Sequence, residues 1–207
     1  MRKLNLPNKI TVIRIILSII ILIMLCIPWH SLNVDWPTYN TLFGKVKLDT
    51  PISLEYIIAG ILFMVASITD RLDGQIARKR NMVTDLGKML DAIADKILVN
   101  GVLIILAYER MIPLVVPVVI ITRDIITDTC KMVSGNKGKV VAASWTGKIK
   151  TVFMMTGVTL AFFNNLPFSL VHFPFVDLCL IVATVLSVVS GCQYYFNTMK
   201  LFKASDM

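Results

Sequence analysis

At 207 residues, 56% of them apolar and with a mean hydropathy of +0.75, the sequence excludes an ordinary soluble enzyme and predicts one polytopic membrane domain over residues 1–207. A net charge of +8 and a pI near 9.4 would suit a nucleic-acid-binding protein, but no basic soluble segment exists to carry that role. Nucleic acid is not expected as a partner, and the basic excess is assigned to the cytoplasmic bias of Lys and Arg in membrane proteins.

Apolar stretches follow in chain order at 10–27, 52–71 running on to 78, 86–108, 112–133, 149–163, and 175–195 running on toward 200. Each approaches the ~20 residues of one crossing, and backbone polar groups in lipid must be satisfied within their own segment, so each is predicted helical. The expected fold class is all-α, with six transmembrane helices. Of the 21 basic residues, all but Lys45, Lys47 and Arg110 gather at the chain ends and around the second and fourth connections. Both termini are therefore predicted cytoplasmic. The external connection 29–51 carries Trp29, Trp36 and Tyr39, read as interfacial anchors, and 134–148, SGNKGKVVAASWTGK, is read as a flexible basic loop. A cleavable signal is not expected, because Arg14 interrupts the first apolar stretch and no small-residue cleavage site follows it. Cys26, Cys130, Cys179 and Cys192 are scattered with no CxxC, which argues against zinc or a disulfide framework.

The second stretch ends in TDRLDGQIARKR, residues 69–80, which places carboxylates in a length of helix that would otherwise face lipid. Residues 69–99 are predicted to form two helices joined by a turn around 81–84. At about 100° per residue, Asp70, Asp73, Gly74 and Ala77 share one face of the first helix, and Gly87, Asp91 and Asp95 share one face of the second. In an antiparallel hairpin Asp70 comes level with Asp95, and Asp73 with Asp91. Each such carboxylate costs roughly 2.5 to 3.5 kcal/mol near a helix centre, and they repel one another, so positive charge must sit among them. Oxygen ligands without Cys or His favour Mg²⁺, Mn²⁺ or Ca²⁺, and magnesium commonly keeps places for substrate phosphates. Asp95 lies about 16 Å along its helix from Thr84, within the cytoplasmic half of the membrane. Two other readings stay open at this level, a cation or proton pathway and ion pairs in a solvated loop. The glycines equally suit close helix packing.

Asp70-x-x-Asp73-Gly74-x-x-Ala77-Arg78, followed by Gly87, Asp91 and Asp95 after gaps of eight, three and three residues, resembles the full signature of the CDP-alcohol phosphatidyltransferases. LPNKITVIRI near the start, DAIADK at 91–96, ITRD at 121–124 and SWTGKIKT at 144–151 resemble in particular its phosphatidylglycerophosphate-forming members. The resemblance implies a six-helix enzyme of the bacterial cell membrane, commonly a homodimer. Its active site would face the cytoplasm and transfer a phosphatidyl group from CDP-diacylglycerol to an alcohol, releasing CMP. It further implies that Asp70, Asp73, Asp91 and Asp95 hold two Mg²⁺ or Mn²⁺ ions, with Asp95 also the general base. Asn8, Thr11, Asp73, Gly74, Ala77, Arg78 and Gly87 would bind the CDP moiety.

The acceptor implied is sn-glycerol 3-phosphate, whose dianionic phosphate needs a basic pocket. Arg123, about 11 residues into the fourth stretch, is the first candidate, with Lys139, Lys148, Lys150 and Arg14 as further ones; pairing of Arg123 with Asp124 or Asp128 is its structural alternative. Similar proteins often carry Glu where this chain has Asp124. Inositol phosphate, serine or phosphatidylglycerol is the alternative acceptor within the family, and a cation-coupled transporter is the alternative outside it.

Overall fold

A computed structural model describes residues 6–42, 46–79, 84–136 and 145–203. Helices form where the apolar stretches predict them: α1 (Leu6–Cys26), α2 (Leu54–Lys79), α3 (Asp85–Tyr108), α4 (Val115–Asn136), α5 (Trp145–Phe162) and α6 (Phe175–Lys203). At 1.5 Å per residue the 26 residues of α2 run about 39 Å and the 29 of α6 about 44 Å. Both are longer than a hydrocarbon core is thick, about 30 Å.

The all-α expectation has one exception. A short antiparallel hairpin, β1 (Thr38–Leu42) and β2 (Val46–Ser53), occupies the connection read as simple interfacial anchoring. Thr38 stands opposite Ser53 and Leu42 opposite Val46, with a shift in register between Tyr39 and Thr41. Thr38, Tyr39, Thr41 and Val46 are β-branched or aromatic and suit strands, and pairing satisfies backbone groups that a bare loop would leave to water. Before the hairpin, Trp29 and Trp36 meet edge to face at 5.6 Å, and Trp29 donates its indole N–H to the Met24 carbonyl. The 134–148 connection also differs from expectation: 134–136 complete α4 and 145–148 open α5, while 137–144 lie outside the described residues.

Helix α1 packs on α2 and α3, α6 packs on α4 and α5, and α2 joins the two groups through α5. Small residues set these approaches. A Cβ on Gly101 would come within 2.6 Å of Leu22, one on Gly60 within 2.8 Å of the Phe162 Cβ, and one on Gly157 within 2.8 Å of Leu180. Phe63, Leu103, Leu106, Ile120, Phe162 and Leu180 are fully buried between the helices, the Phe63 and Phe162 rings 5.8 Å apart.

The outward surface is as apolar as the core. Ile13, Ile16, Ile20 and Ile23 of α1 and Ile181, Val185 and Val188 of α6 are all exposed, a surface that suits lipid and not water. Among the described residues, Asn8–Cys26 and Phe175–Lys200 are long and apolar enough to cross a membrane, with mean hydropathies of 2.6 and 2.2. Charged residues interrupt the apolar run in α2, α3, α4 and α5. Among the described side chains, Asp70, Asp91, Asp95, Arg123, Asp124 and Lys150 of these helices line two adjoining cavities.

Candidate active site

The first side of the site is assembled by α1, α2 and α3. Thr84, in extended backbone, caps α3 by accepting the Gly87 N–H at 3.0 Å, as N-cap threonines do. The side-chain amide of Asn8 donates to the same Thr84 oxygen at 3.2 Å. A Cβ on Gly87 would lie 2.6 Å from Asn8 Oδ1, so the bare glycine is what lets α1 seat against the first turn of α3. Thr11 and Arg14 follow Asn8 at successive helical turns, both buried.

Arg14, its side chain 1% exposed, donates to Asp70 on α2 and, at 3.0 Å, to Asp91 on α3. Arg14, one of the candidates for the acceptor phosphate, thus stands against two of the motif aspartates. The guanidinium supplies positive charge between two carboxylates that would otherwise repel, and buried charge requires such a partner.

Asp70, Asp91 and Asp95 line a cavity of about 860 Å³ that continues past Thr156 and Thr159 to Phe168 and Phe175. Carboxylates therefore stand at one end and stacked aromatic rings, 4.2 Å apart, at the other. Asp73, Gly74, Ala77 and Arg78 belong to the helical backbone of α2, but their side chains lie outside the described residues. Among the described residues no three acidic, His or Cys side chains draw together as a closed ion site. By chemistry alone the donors suit a hard divalent cation: Asp70, Asp91 and Asp95 offer carboxylate oxygens to one cavity, and half of the Asp91 side chain is exposed.

The second side is assembled by α3, α4, α5 and α6 around a cavity of about 310 Å³, lined by Arg123, Asp124, Lys148, Lys150 and Tyr194 among others. Lys150 is 4% exposed. It donates to both oxygens of Asp124, at 3.1 and 3.4 Å, while Arg123 Nη1 donates to Asp124 Oδ1 at 2.9 Å. One carboxylate thus holds two cations side by side. Arg123 does pair with Asp124, as the structural alternative has it, and it also lines the cavity. Asp128 pairs instead with Lys96 of α3 and, at 3.5 Å, with Lys131. The Lys148 ammonium lies 4.9 Å above the Trp145 ring. Lys139 lies outside the described residues.

Asp95, Lys96, Asp128, Lys131 and Thr151 line both cavities. Among the described aspartates of the motif, Asp95 alone faces the two of them. Sequence reasoning overlooked Thr151, the Lys96–Asp128 pair, and the α6 residues Ser190, Gly191 and Tyr194. The α6 signal was present as Ser187, Ser190, Gly191 and Tyr194 at positions i, i+3, i+4 and i+7, one helical face of small or polar groups.

The sequence matches the CDP-alcohol phosphatidyltransferase family over residues 4–190. It is 41% identical over 203 residues to the CDP-diacylglycerol–glycerol-3-phosphate 3-phosphatidyltransferase of Bacillus subtilis, covering 98% of this chain and 99% of that one. The protein of the same name from Mycoplasma pneumoniae is 31% identical over 209 residues, covering 95% of this chain and 90% of its own. The chain is a membrane transferase and belongs to the CDP-alcohol phosphatidyltransferase family.

Proposed function

We propose that the protein transfers the phosphatidyl group of CDP-diacylglycerol to sn-glycerol 3-phosphate, giving phosphatidylglycerophosphate and CMP. The observation that carries this reading is the wall shared by the carboxylate-lined cavity and the cation-lined one, with Asp95 on it. A nucleotide lipid on one side and a phosphorylated alcohol on the other would meet at that residue. The names of the relatives point the same way.

In this reading Asp70, Asp73, Asp91 and Asp95 would hold two Mg²⁺ or Mn²⁺ ions, which supply neutralisation of the diphosphate and of the departing CMP. Asp95 takes the proton of the acceptor hydroxyl while that oxygen bonds to the phosphorus bearing diacylglycerol. The bond from this phosphorus to the bridging oxygen breaks, and CMP leaves with the electron pair. Asn8, Thr11, Asp73, Gly74, Ala77, Arg78 and Gly87 bind the CDP end, and the Thr84 cap keeps the α1–α3 approach closed around it. Arg123, Lys148 and Lys150, with Lys139, bind the acceptor phosphate. Arg14 balances the carboxylates of Asp70 and Asp91.

All six helices cross the membrane in the same reading, with both termini and the active site on the cytoplasmic side of a bacterial cell membrane. The chain works as a homodimer. The distribution of basic residues and the exposed isoleucines and valines of α1 and α6 support the crossing.

Purified protein incubated with CDP-diacylglycerol, Mg²⁺ or Mn²⁺, and a panel of alcohols tests the assignment by CMP release and identification of the lipid product. Release with glycerol 3-phosphate is expected. Release only with inositol phosphate, serine or phosphatidylglycerol would overturn the acceptor, and no CMP with any alcohol would overturn the reaction.

A further inference from the structure

Arginine is a long side chain that gives up about 2 kcal/mol of rotamer entropy when fixed, so an arginine that recognises an anion works best when its surroundings have already fixed it. Arg123 is fixed on three sides. Its own neighbour Asp124 takes one N–H of Nη1 at 2.9 Å, and Ser190 on α6 takes one N–H of Nη2 at 2.7 Å. The third constraint is steric: a Cβ added at Gly191 would lie 2.8 Å from Arg123 Cγ, so the α6 backbone at this glycine is the surface on which the arginine stem rests. The Tyr194 ring, one turn further along, has its centroid 5.9 Å from Arg123 Cζ, within cation–π reach.

Ser190 is itself held in one role. Its hydroxyl donates to the Ser187 carbonyl at 3.1 Å, which leaves its lone pairs to accept from Arg123. Ser187 and Ser190 are fully buried and Tyr194 is 5% exposed, so the α6 side of these contacts is closed to water. A guanidinium has five N–H donors, and two are used by Asp124 and Ser190. Nε is buried and has no hydrogen-bond partner among the described residues. With Nε closed off, the donors left on Nη1 and Nη2 belong to a guanidinium whose plane is already set and which lines the 310 Å³ cavity. Such a pair of donors matches two oxygens of a phosphate.

We infer that Ser190, Gly191 and Tyr194 form an α6 cradle that presets Arg123, and that this cradle makes the second cavity selective for a phosphorylated alcohol over a neutral one. The three are positioning residues: they act on the acceptor through Arg123. The inference rests on the proposed function and deepens it.

The test measures kcat and the KM of each substrate for Ser190→Ala, Gly191→Ala and Tyr194→Leu in the full-length protein. Gly135→Ala serves as control, because a Cβ there meets nothing within 4 Å. Each cradle variant should raise the KM for glycerol 3-phosphate by about tenfold while kcat and the KM for CDP-diacylglycerol stay within about twofold, the pattern of lost acceptor binding. Inhibition by inorganic phosphate should weaken by the same factor. Tyr194→Phe, which keeps the ring, should match the parent. An unchanged acceptor KM in Ser190→Ala and Gly191→Ala would overturn the cradle while the parent's use of glycerol 3-phosphate leaves the proposed function standing. Uniform loss of kcat with a lowered Tm and no change in acceptor KM would also overturn it, as the mark of a structural role alone. A parent that releases CMP with no phosphorylated alcohol would overturn both.

Discussion

The two sides of the site answer the same electrostatic difficulty in opposite ways. Among the described side chains that α1, α2 and α3 bring to the site, carboxylates are in excess and one buried arginine is shared between two of them. Around α4, α5 and α6, cations are in excess and one aspartate is shared between two of them. Each side is therefore short of one sign of charge, and each lacks the sign that its proposed substrate group or metal would bring. Complementarity to a ligand is written into the imbalance, because a fully balanced cluster would gain nothing from binding.

The largest effect expected comes from the residue that belongs to both sides. Asp95→Asn should lower kcat by about 10³-fold without unfolding the protein, measured as CMP release beside an unchanged melting curve. Near-parental turnover would remove Asp95 as the base and dissolve the link between the two cavities. Arg123→Ala comes next and separates them: the KM for glycerol 3-phosphate should rise roughly 100-fold while that for CDP-diacylglycerol barely moves. Equal loss for both substrates would mean that the cationic side is not a separate acceptor site.

Arg14→Gln probes the other side. Without its guanidinium the Asp70 and Asp91 carboxylates repel, at a cost of about 2 kcal/mol after allowing for their partial exposure. Tm should fall, and added Mg²⁺ should raise it more than in the parent, because the ion then supplies the missing charge. An identical Mg²⁺ response in both proteins would show that Arg14 and the metal do not compete for the same carboxylates. Gly87→Ala should have the smallest effect on stability, about 1 to 2 kcal/mol from the crowding of Asn8, and should also raise the KM for CDP-diacylglycerol, because Gly87 belongs to the proposed CDP site. Additional replacement of Asn8 by Ala should recover part of it, and a strictly additive double variant would contradict the contact.

How much of this was legible in the sequence differs between the same two sides. The carboxylate side lies in one stretch, 70–95, where helical period puts Asp91 and Asp95 on one face of α3, but depth pairing of Asp70 with Asp95 did not foretell that Asp70 and Asp91 share one guanidinium. The cationic side is assembled from α4, α5 and α6, and only the packing of α6 on α4 brings Ser190 to Arg123. Arg14 was legible as a costly charge, but its partners were not, because its helix could have been rotated to face either side. Helix positions were legible throughout, since lipid forces backbone groups to pair within a segment. The hairpin at 38–53 was not, because a few β-branched residues in an external connection carry no such compulsion.

The shared wall has a further meaning for fidelity. The 310 Å³ cavity that Asp95 lines has room for several waters at about 30 Å³ each, and in the proposed reading these would stand beside the base in place of the alcohol. Water is a competing nucleophile, and its attack would destroy the activated lipid for nothing. In the proposed reading, an acceptor that fills the cavity and is gripped by its phosphate would remove that competitor from the base. If the proposed function holds, the basic pocket would thereby guard the donor as well as recruit its partner.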